Sequence, residues 1–273
     1  MRTNCSIGIF DSGFGGITIL KSIAKQLPQY DYIYFADTAR APYGNRSKEI
    51  IYNFTKQAVD FLFSKDCELV ILACNTASAD ALRRIQQEYL PSKYPGKRVL
   101  GVLIPGAQEA IKHTKNNTIG VIATNATVQS NAFERELCKL SSTVRVVQKS
   151  CPLLVPLVES NEHELPFAKI ILKQYLTPLL RNNIDTLILG CTHYEILAST
   201  VRQVIGKHIT IIAEGTVVAH SLSVYLTNHS EIVLKLTKNG TRTFYTTDLT
   251  SQFEIMGQKF LGSRFSAILV AWT

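Results

Sequence analysis

Two stretches of this sequence share one construction. "ELVILACNTASADAL", starting at Glu68, and "DTLILGCTHYEIL", starting at Asp185, each run through aliphatic residues into a cysteine set among small polar neighbours, and each then turns helical. The cysteines, Cys74 and Cys191, lie 117 residues apart. A second pair, "IGIFDSGFGGITIL" from Ile7 and "IGVIATNATVQSNAF" from Ile119, repeats at an offset of 112 residues. Two offsets this close imply two similarly built lobes, each supplying one thiol.

The rest of the chain has the same grain. Ile7 to Phe10 reads as a strand that enters a Gly-rich turn at Asp11 to Gly16, then a helix with Ile17, Leu20, Ile23 and Leu27 on one face. "YDYIYFADT" is a second strand ending at Ala36-Asp37, and "APYGNRSKE" is a loop. Ser47 is placed to cap the next helix, with Glu49 in its first turn and Ile50, Ile51, Phe54, Ala58, Phe61 and Leu62 along one side. The first cysteine stretch is a third strand, with a helix from about Ala77. "KRVLGVLIPGAQEAIKH" reads as strand, Pro-Gly turn and helix, and "TVRVVQKSCPLLVPLVE" as a strand and a loop ending at Glu159. A long helix is expected over roughly Pro166 to Arg181, then the strand Thr186 to Leu189. The tail "GTRTFYTTDLTSQFEIMGQKFLG" holds a short extended piece and a helical stretch. Strands alternating with helices predict an α/β protein with parallel sheets covered on both faces. Ligands in such sheets bind beyond the C-terminal ends of the strands. Asp11-Ser12, Asp37, Cys74-Asn75-Thr76, Thr124 and Cys191-Thr192-His193 all fall at such ends.

Composition narrows the class. At 273 residues, 46% hydrophobic and 18% charged, the chain reads as a soluble globular protein with ample core. No apolar run reaches membrane-spanning length or resembles a secretory leader, so a cytoplasmic location is expected. The net charge of +8 is scattered, with no Arg-rich stripe interleaved with aromatics, so no nucleic-acid partner is expected. Six cysteines without a C-x-x-C pair argue against a disulfide framework and a zinc site. Gly13, Gly15 and Gly16 miss the dinucleotide fingerprint because position 18 is Thr, and no phosphate loop follows.

Cys5, Cys67, Cys138 and Cys151 read as packing residues. Cys74 and Cys191 differ because each opens a helix, a position that lowers a thiol's pKa. Two thiols across a cleft can form a disulfide, act as a redox pair, or flank one carbon atom from opposite sides. The last geometry fits racemisation: one thiolate removes an α-proton and the opposite thiol returns another. No lysine stands in a recognisable pyridoxal phosphate setting. A route without a cofactor then relies on hydrogen-bond donors, desolvation and orientation. Asn75, Thr76 and Thr192 suit an α-carboxylate or ammonium, and Asp11 and His193 are placed to polarise or relay protons. The plainer alternatives are that Asp11 with Ser12 caps a helix and that His193 is a satisfied core histidine.

"IGIFDSGFGG", "YFADTARAPYG", "ILACNTASA", "VPLVE", "LILGCTHY" and "FYTTD" extend through essentially the whole chain. Together they resemble the aspartate/glutamate racemase family. The resemblance implies two pseudo-symmetric three-layer α/β domains with mostly parallel sheets and the active site in the cleft between them. The expected divisions are residues 1–98, 99–210, and a segment 211–273 that returns to the first domain. It implies interconversion of L-glutamate and D-glutamate without a cofactor or metal, supplying D-glutamate for peptidoglycan. Cys74 then deprotonates D-glutamate and Cys191 deprotonates L-glutamate, with Asp11 and His193 as auxiliary groups. Substrate binding falls to Asp11, Ser12, Pro42, Tyr43, Gly44, Asn75, Thr76, Thr124 and Thr192, with Asp37 and Glu159 in support. A homodimer is common in that family.

Two positions depart from the family pattern. Ala123 stands where a glycine usually precedes the threonine, and a methyl there shifts the turn. Glu214, in "IIAEGTVVA", stands where an Asp-Ser or Asp-Pro turn is common. Three rivals remain: racemisation of aspartate or another amino acid, a thiol hydrolase or transferase with Cys191 as nucleophile and His193 as base, and a two-lobed small-anion binding protein that needs neither thiol.

Overall fold

The computed structural model describes residues 5–264 and 266–271. Among the described residues ten strands form two sheets, and every pairing between them is parallel. They are β1 (Ser6–Asp11), β2 (Tyr32–Ala36), β3 (Cys67–Leu72), β4 (Arg98–Gly101), β5 (Thr118–Ala123), β6 (Arg145–Ser150), β7 (Thr186–Gly190), β8 (Thr210–Ile212), β9 (Arg242–Thr246) and β10 (Ala267–Leu269). The first sheet runs β10-β9-β2-β1-β3-β4, the second β6-β5-β7-β8. The order β2-β1-β3-β4 is thus repeated as β6-β5-β7-β8. Two pseudo-symmetric α/β units result, and the sequence repeat aligns β1 with β5 and β3 with β7.

Burial explains why these runs are strands. β3 and β7 are buried at every position, as continuous aliphatic segments must be when helices cover both faces of a sheet. In each sheet the strand order reverses between the first and third strands, which opens a crevice at their C-terminal ends. Cys191 follows directly on β7, and Cys74 follows β3 after Ala73. One apolar core runs through both units, from Ile7 and Ile71 to Ile122 and Ile188, and a second gathers Phe10, Val70 and Leu82. The helix Ile17–Gln26 packs along the helix Glu214–Asn228 within the first. Among the described residues no helix is long and apolar enough to cross a membrane.

Several local expectations shift. Pro105 and Gly106 lie inside the helix Leu103–His113; Pro105 falls in its first turn, where the missing N–H has no intrahelical partner to lose. Leu154–Glu159 is a helix where a loop was expected. The helix Lys48–Ser64 begins after Ser47, but the Ser47 side chain makes no capping bond, and Glu49 instead meets Arg84 at 2.9 Å. Its buried face includes Tyr52, Thr55 and Val59, while Ile50 is exposed. β4 pairs with β3, so the chain leaves the first sheet after Gly101, and β8 carries Ile211 and Ile212 into the second sheet. β9 and β10 extend the first sheet beyond β2.

Gly190 shows how closely the second crevice is packed. A Cβ there would stand 2.7 Å from the Phe133 ring and 3.1 Å from the Ile122 carbonyl oxygen, so only glycine lets that ring fill the space just before Cys191. Phe133 is fully buried. Phe133→Ala is expected to cost about 3–5 kcal/mol through the cavity it leaves, measured by urea denaturation. A loss below about 1 kcal/mol would show that this wall collapses freely.

Candidate active site

Cys74 is the N-cap of the helix Asn75–Asp80, and its sulfur accepts from the Ala77 N–H at 3.5 Å. Ser12 Oγ approaches the same sulfur, also at 3.5 Å. Cys191 leaves β7 in extended conformation ahead of the turn Thr192–Glu195, and its sulfur stands 3.8 Å from His193 Nδ1. Both thiols are buried, and both line one cavity of about 50 Å³. That is room for roughly three to five water molecules.

The sequence-derived residues converge here. Ser12, Pro42, Tyr43 and Gly44 line the cavity together with Asn75, Thr76, Thr124, Thr192, His193 and Glu159. Thr124 caps the helix Asn125–Gln129 through its side chain, so the turn after Ala123 keeps regular capping geometry. Thr76 Oγ1 meets Thr124 Oγ1 at 2.9 Å, and Thr124 Oγ1 meets Thr127 Oγ1 at 3.0 Å, a hydroxyl chain crossing between the two units. Gly44 abuts Thr124: a Cβ there would stand 2.7 Å from the threonine Cβ.

Two acidic positions lie behind the cavity. Asp11 is fully buried at the end of β1, where its carboxylate accepts from the Gly13 N–H at 3.1 Å and from Thr192 Oγ1 at 3.4 Å. It therefore joins the Gly-rich turn of one unit to the cysteine turn of the other. Asp37 accepts from Tyr43 OH, from Arg40 Nε at 2.6 Å and from Thr247 Oγ1 at 2.9 Å. Those bonds fix the 40–43 loop and tie the tail to it. His193 is buried, with Nε2 3.2 Å from Glu159 Oε1 but off the hydrogen-bonding direction, and its ring meets Phe14 edge-on.

Sequence reading missed part of the wall. Val155 and Pro156 line the cavity from the helix Leu154–Glu159, and Cys151 and Pro152 from the turn before it. Asn125 and Asn45 close its rim with a bond at 3.1 Å. Glu214 binds Asn75 Nδ2 through both oxygens, at 2.7 and 2.8 Å. Its unusual position in the turn before the last long helix was the available signal.

Burial overrides the helix N-termini in setting thiol acidity. Desolvation and the nearby Asp11 push Cys74 up to about 11, against the pull of Ser12 and the Ala77 N–H. Cys191 is pushed well above the ordinary thiol value by burial, with the His193 N–H pulling it down and Cys74, Asp11 and Glu214 pushing it further up. Burial also raises Asp11, opposed by His193. With these upward shifts both cysteines are thiols at neutral pH. Among the described residues, no group of three or more His, Cys, Asp or Glu side chains is arranged to hold a metal ion.

The model of one protein family, described as Asp/Glu/Hydantoin racemase, matches residues 7–221. A glutamate racemase of Lactococcus lactis subsp. cremoris is 41% identical over 94% of this chain and 92% of its own length. A solved glutamate racemase isoform from Bacillus anthracis superposes with a TM-score of 0.90 at 38% identity, covering 98% of each chain. Another from Francisella tularensis subsp. tularensis, in complex with D-glutamate, gives 0.88 at 33% identity, covering 99% of this chain and 98% of that one.

Iodoacetamide on the substrate-free protein is expected to label exposed Cys138 first, while Cys74 labelling stays slow near neutral pH and climbs as pH approaches about 11. Peptide mass spectrometry across a pH series measures this. Equal labelling of the two at neutral pH would contradict the burial argument.

Proposed function

The chain belongs to the Asp/Glu/Hydantoin racemase family, and on that premise we propose that it interconverts L- and D-glutamate by passing the α-proton through Cys74 and Cys191. The enzyme is an isomerase, and its product serves peptidoglycan synthesis. The observation that carries the assignment of roles is the placement of two buried thiols in one cavity, at the ends of equivalent strands in pseudo-symmetric units.

In this reading the substrate brings an α-ammonium, together with two carboxylates, into a cavity whose described lining holds no Lys or Arg. A unit charge about 4 Å away is worth roughly 4 kcal/mol at an effective dielectric of 20. A thiol raised from 9.0 to about 11 disfavours its thiolate by roughly 3 kcal/mol at its ordinary titration point. At neutral pH the cost of the thiolate is roughly 5 kcal/mol, so the ammonium offsets most of it at the thiol it faces, provided the carboxylates are held further away. With D-glutamate, the Cys74 thiolate takes the Cα proton and becomes a thiol, the electron pair moves onto the α-carboxylate, and the Cys191 thiol protonates the opposite face. Cys74 ends as thiol and Cys191 as thiolate, which is the starting state for L-glutamate. Asp11 and His193 serve as proton-relay and orienting groups for the Cys74 and Cys191 sides. Ser12, Thr76, Thr124 and Thr192 supply hydroxyl donors, and Pro42, Tyr43 and Gly44 close the far wall. Asp37 holds that wall in place, and Glu159 backs His193.

The first lobe of this reading is the β1–β4 unit with β9 and β10, and the second is β5–β8. The six cysteines are free, and two of them must stay thiols, which suits a reducing compartment such as the cytoplasm. The 3.8 Å approach of Cys191 to His193 also fits a thiol nucleophile. A nucleophile at Cys191 would work without Cys74.

Circular dichroism with each glutamate enantiomer, and separately with aspartate, tests the reading without added cofactor. Wild-type protein is expected to racemise glutamate from both sides, and Cys74→Ser and Cys191→Ser each to lose about 10²–10⁴-fold in rate. Turnover surviving Cys74→Ser would favour the nucleophile, and activity on aspartate alone would reassign the substrate.

A further inference from the structure

Glu214 opens the helix Glu214–Asn228 directly after β8, and it is only 2% exposed. No salt bridge among the described residues reaches it, and its hydrogen-bond partner is the Asn75 amide. A Cβ on Gly106 would stand 3.4 Å from Oε1, and burial, with Glu195 adding to it, pushes the Glu214 carboxyl well above its ordinary range. A carboxyl buried without a cation is costly, and an apolar side chain of the same size would fill this volume more cheaply. What it achieves is visible at Asn75.

Asn75 lines the cavity and Glu214 does not. Nδ2 of Asn75 is committed to Glu214, whereas Oδ1 is buried and has no hydrogen-bond partner. The amide orientation follows from the network, because turning it over would set Oδ1 against two carboxyl oxygens. The polar atom that Asn75 has to offer the cavity is thus an acceptor. An α-ammonium is the donor that the proposed substrate brings.

We infer that Glu214 is a positioning residue: it holds Asn75 with Oδ1 turned to the cavity, where it accepts a hydrogen bond from the substrate's α-ammonium. This rests on reading the cavity as the glutamate site. One acceptor oxygen is enough to hold Nδ2, and a carboxyl has one in its neutral and its ionised form alike, as does a glutamine. The ammonium keeps its charge from ground state to transition state, so the contact stabilises both about equally and acts on KM rather than kcat.

The experiment compares Glu214→Met, which keeps the volume and removes the acceptor, with Glu214→Gln, which keeps an acceptor. Racemisation kinetics are read with both enantiomers, and binding of glutarate, which has both carboxylates and no ammonium, is read by calorimetry. Wild-type turnover of glutamate is established first; its absence would overturn the site reading and this inference with it. With wild type active, Glu214→Met is expected to raise KM about tenfold for either enantiomer with kcat nearly unchanged, and Glu214→Gln to restore KM to within about twofold. Glutarate is expected to bind wild type and Glu214→Met alike. Adding Asn75→Ala to Glu214→Met should then raise KM little further, because the two act through one contact. Unchanged KM in Glu214→Met, equal weakening of glutarate and glutamate, or a KM for Glu214→Gln as high as for Met would each overturn the inference while leaving the racemase reading intact. If Glu214→Met does not fold, the Gln variant and the glutarate comparison on Asn75→Ala decide it: selective loss of glutamate binding supports it, and equal loss contradicts it.

Discussion

Burying two thiols in one small cavity is the condition on which the rest of this site depends. In water either would reach its thiolate at mildly basic pH. Here desolvation pushes both up, so neither is a base until something pays back the charge. The surroundings supply partial compensation only: a hydroxyl and an N–H at Cys74, an N–H and an imidazole at Cys191. The carboxylate of Asp11 works against both thiolates. The substrate's α-ammonium, seated against one thiol, offsets that penalty locally, so basicity depends on how the substrate is placed.

The fold makes the arrangement possible by repetition. Two sheets with the same strand order each open a crevice between the first and third strands, and the units meet so that the crevices share one cavity. Close approach across the junction depends on missing side chains. A Cβ on Gly15 would stand 2.5 Å from Thr192 Oγ1 and 2.7 Å from His193 Nδ1, and one on Gly44 would strike Thr124. The symmetry is nevertheless incomplete. Cys74 caps a helix, while Cys191 has no side-chain cap bond and faces a histidine. A reaction run in both directions thus uses two thiols in unequal settings.

Much of this was legible in the residues. The offsets between the repeated stretches disclosed two units, and the C-N-T and C-T-H settings singled out Cys74 and Cys191 from six cysteines. Other features were not, for physical reasons. The segment 154–159 holds a proline and reads as a loop, yet a proline early in a short helix breaks no bond that matters. Pro105 misled in the same way. The helix Lys48–Ser64 turns Tyr52 and Thr55 inward in place of Ile50, because it packs against neighbours that its own periodicity does not specify. The pairing of β4 with β3 and of β9 with β2 depends on long-range contacts. Thiol acidity was judged from helix position, whereas burial decides it. The bond from Asn75 to Glu214 spans 139 residues: the unusual turn marked Glu214, but nothing local named Asn75 as its partner.

Deuterium labelling at Cα during early turnover tests the two-thiol claim most directly. Purified protein in deuterated water is given L-glutamate alone, and the two enantiomers are separated before equilibrium and examined by mass spectrometry and NMR. The account predicts deuterium in essentially all D-glutamate formed and almost none in recovered L-glutamate, because the proton removed by Cys191 stays on that face while Cys74 delivers one from solvent. D-glutamate carrying the original proton would show that one base serves both faces, and would contradict it.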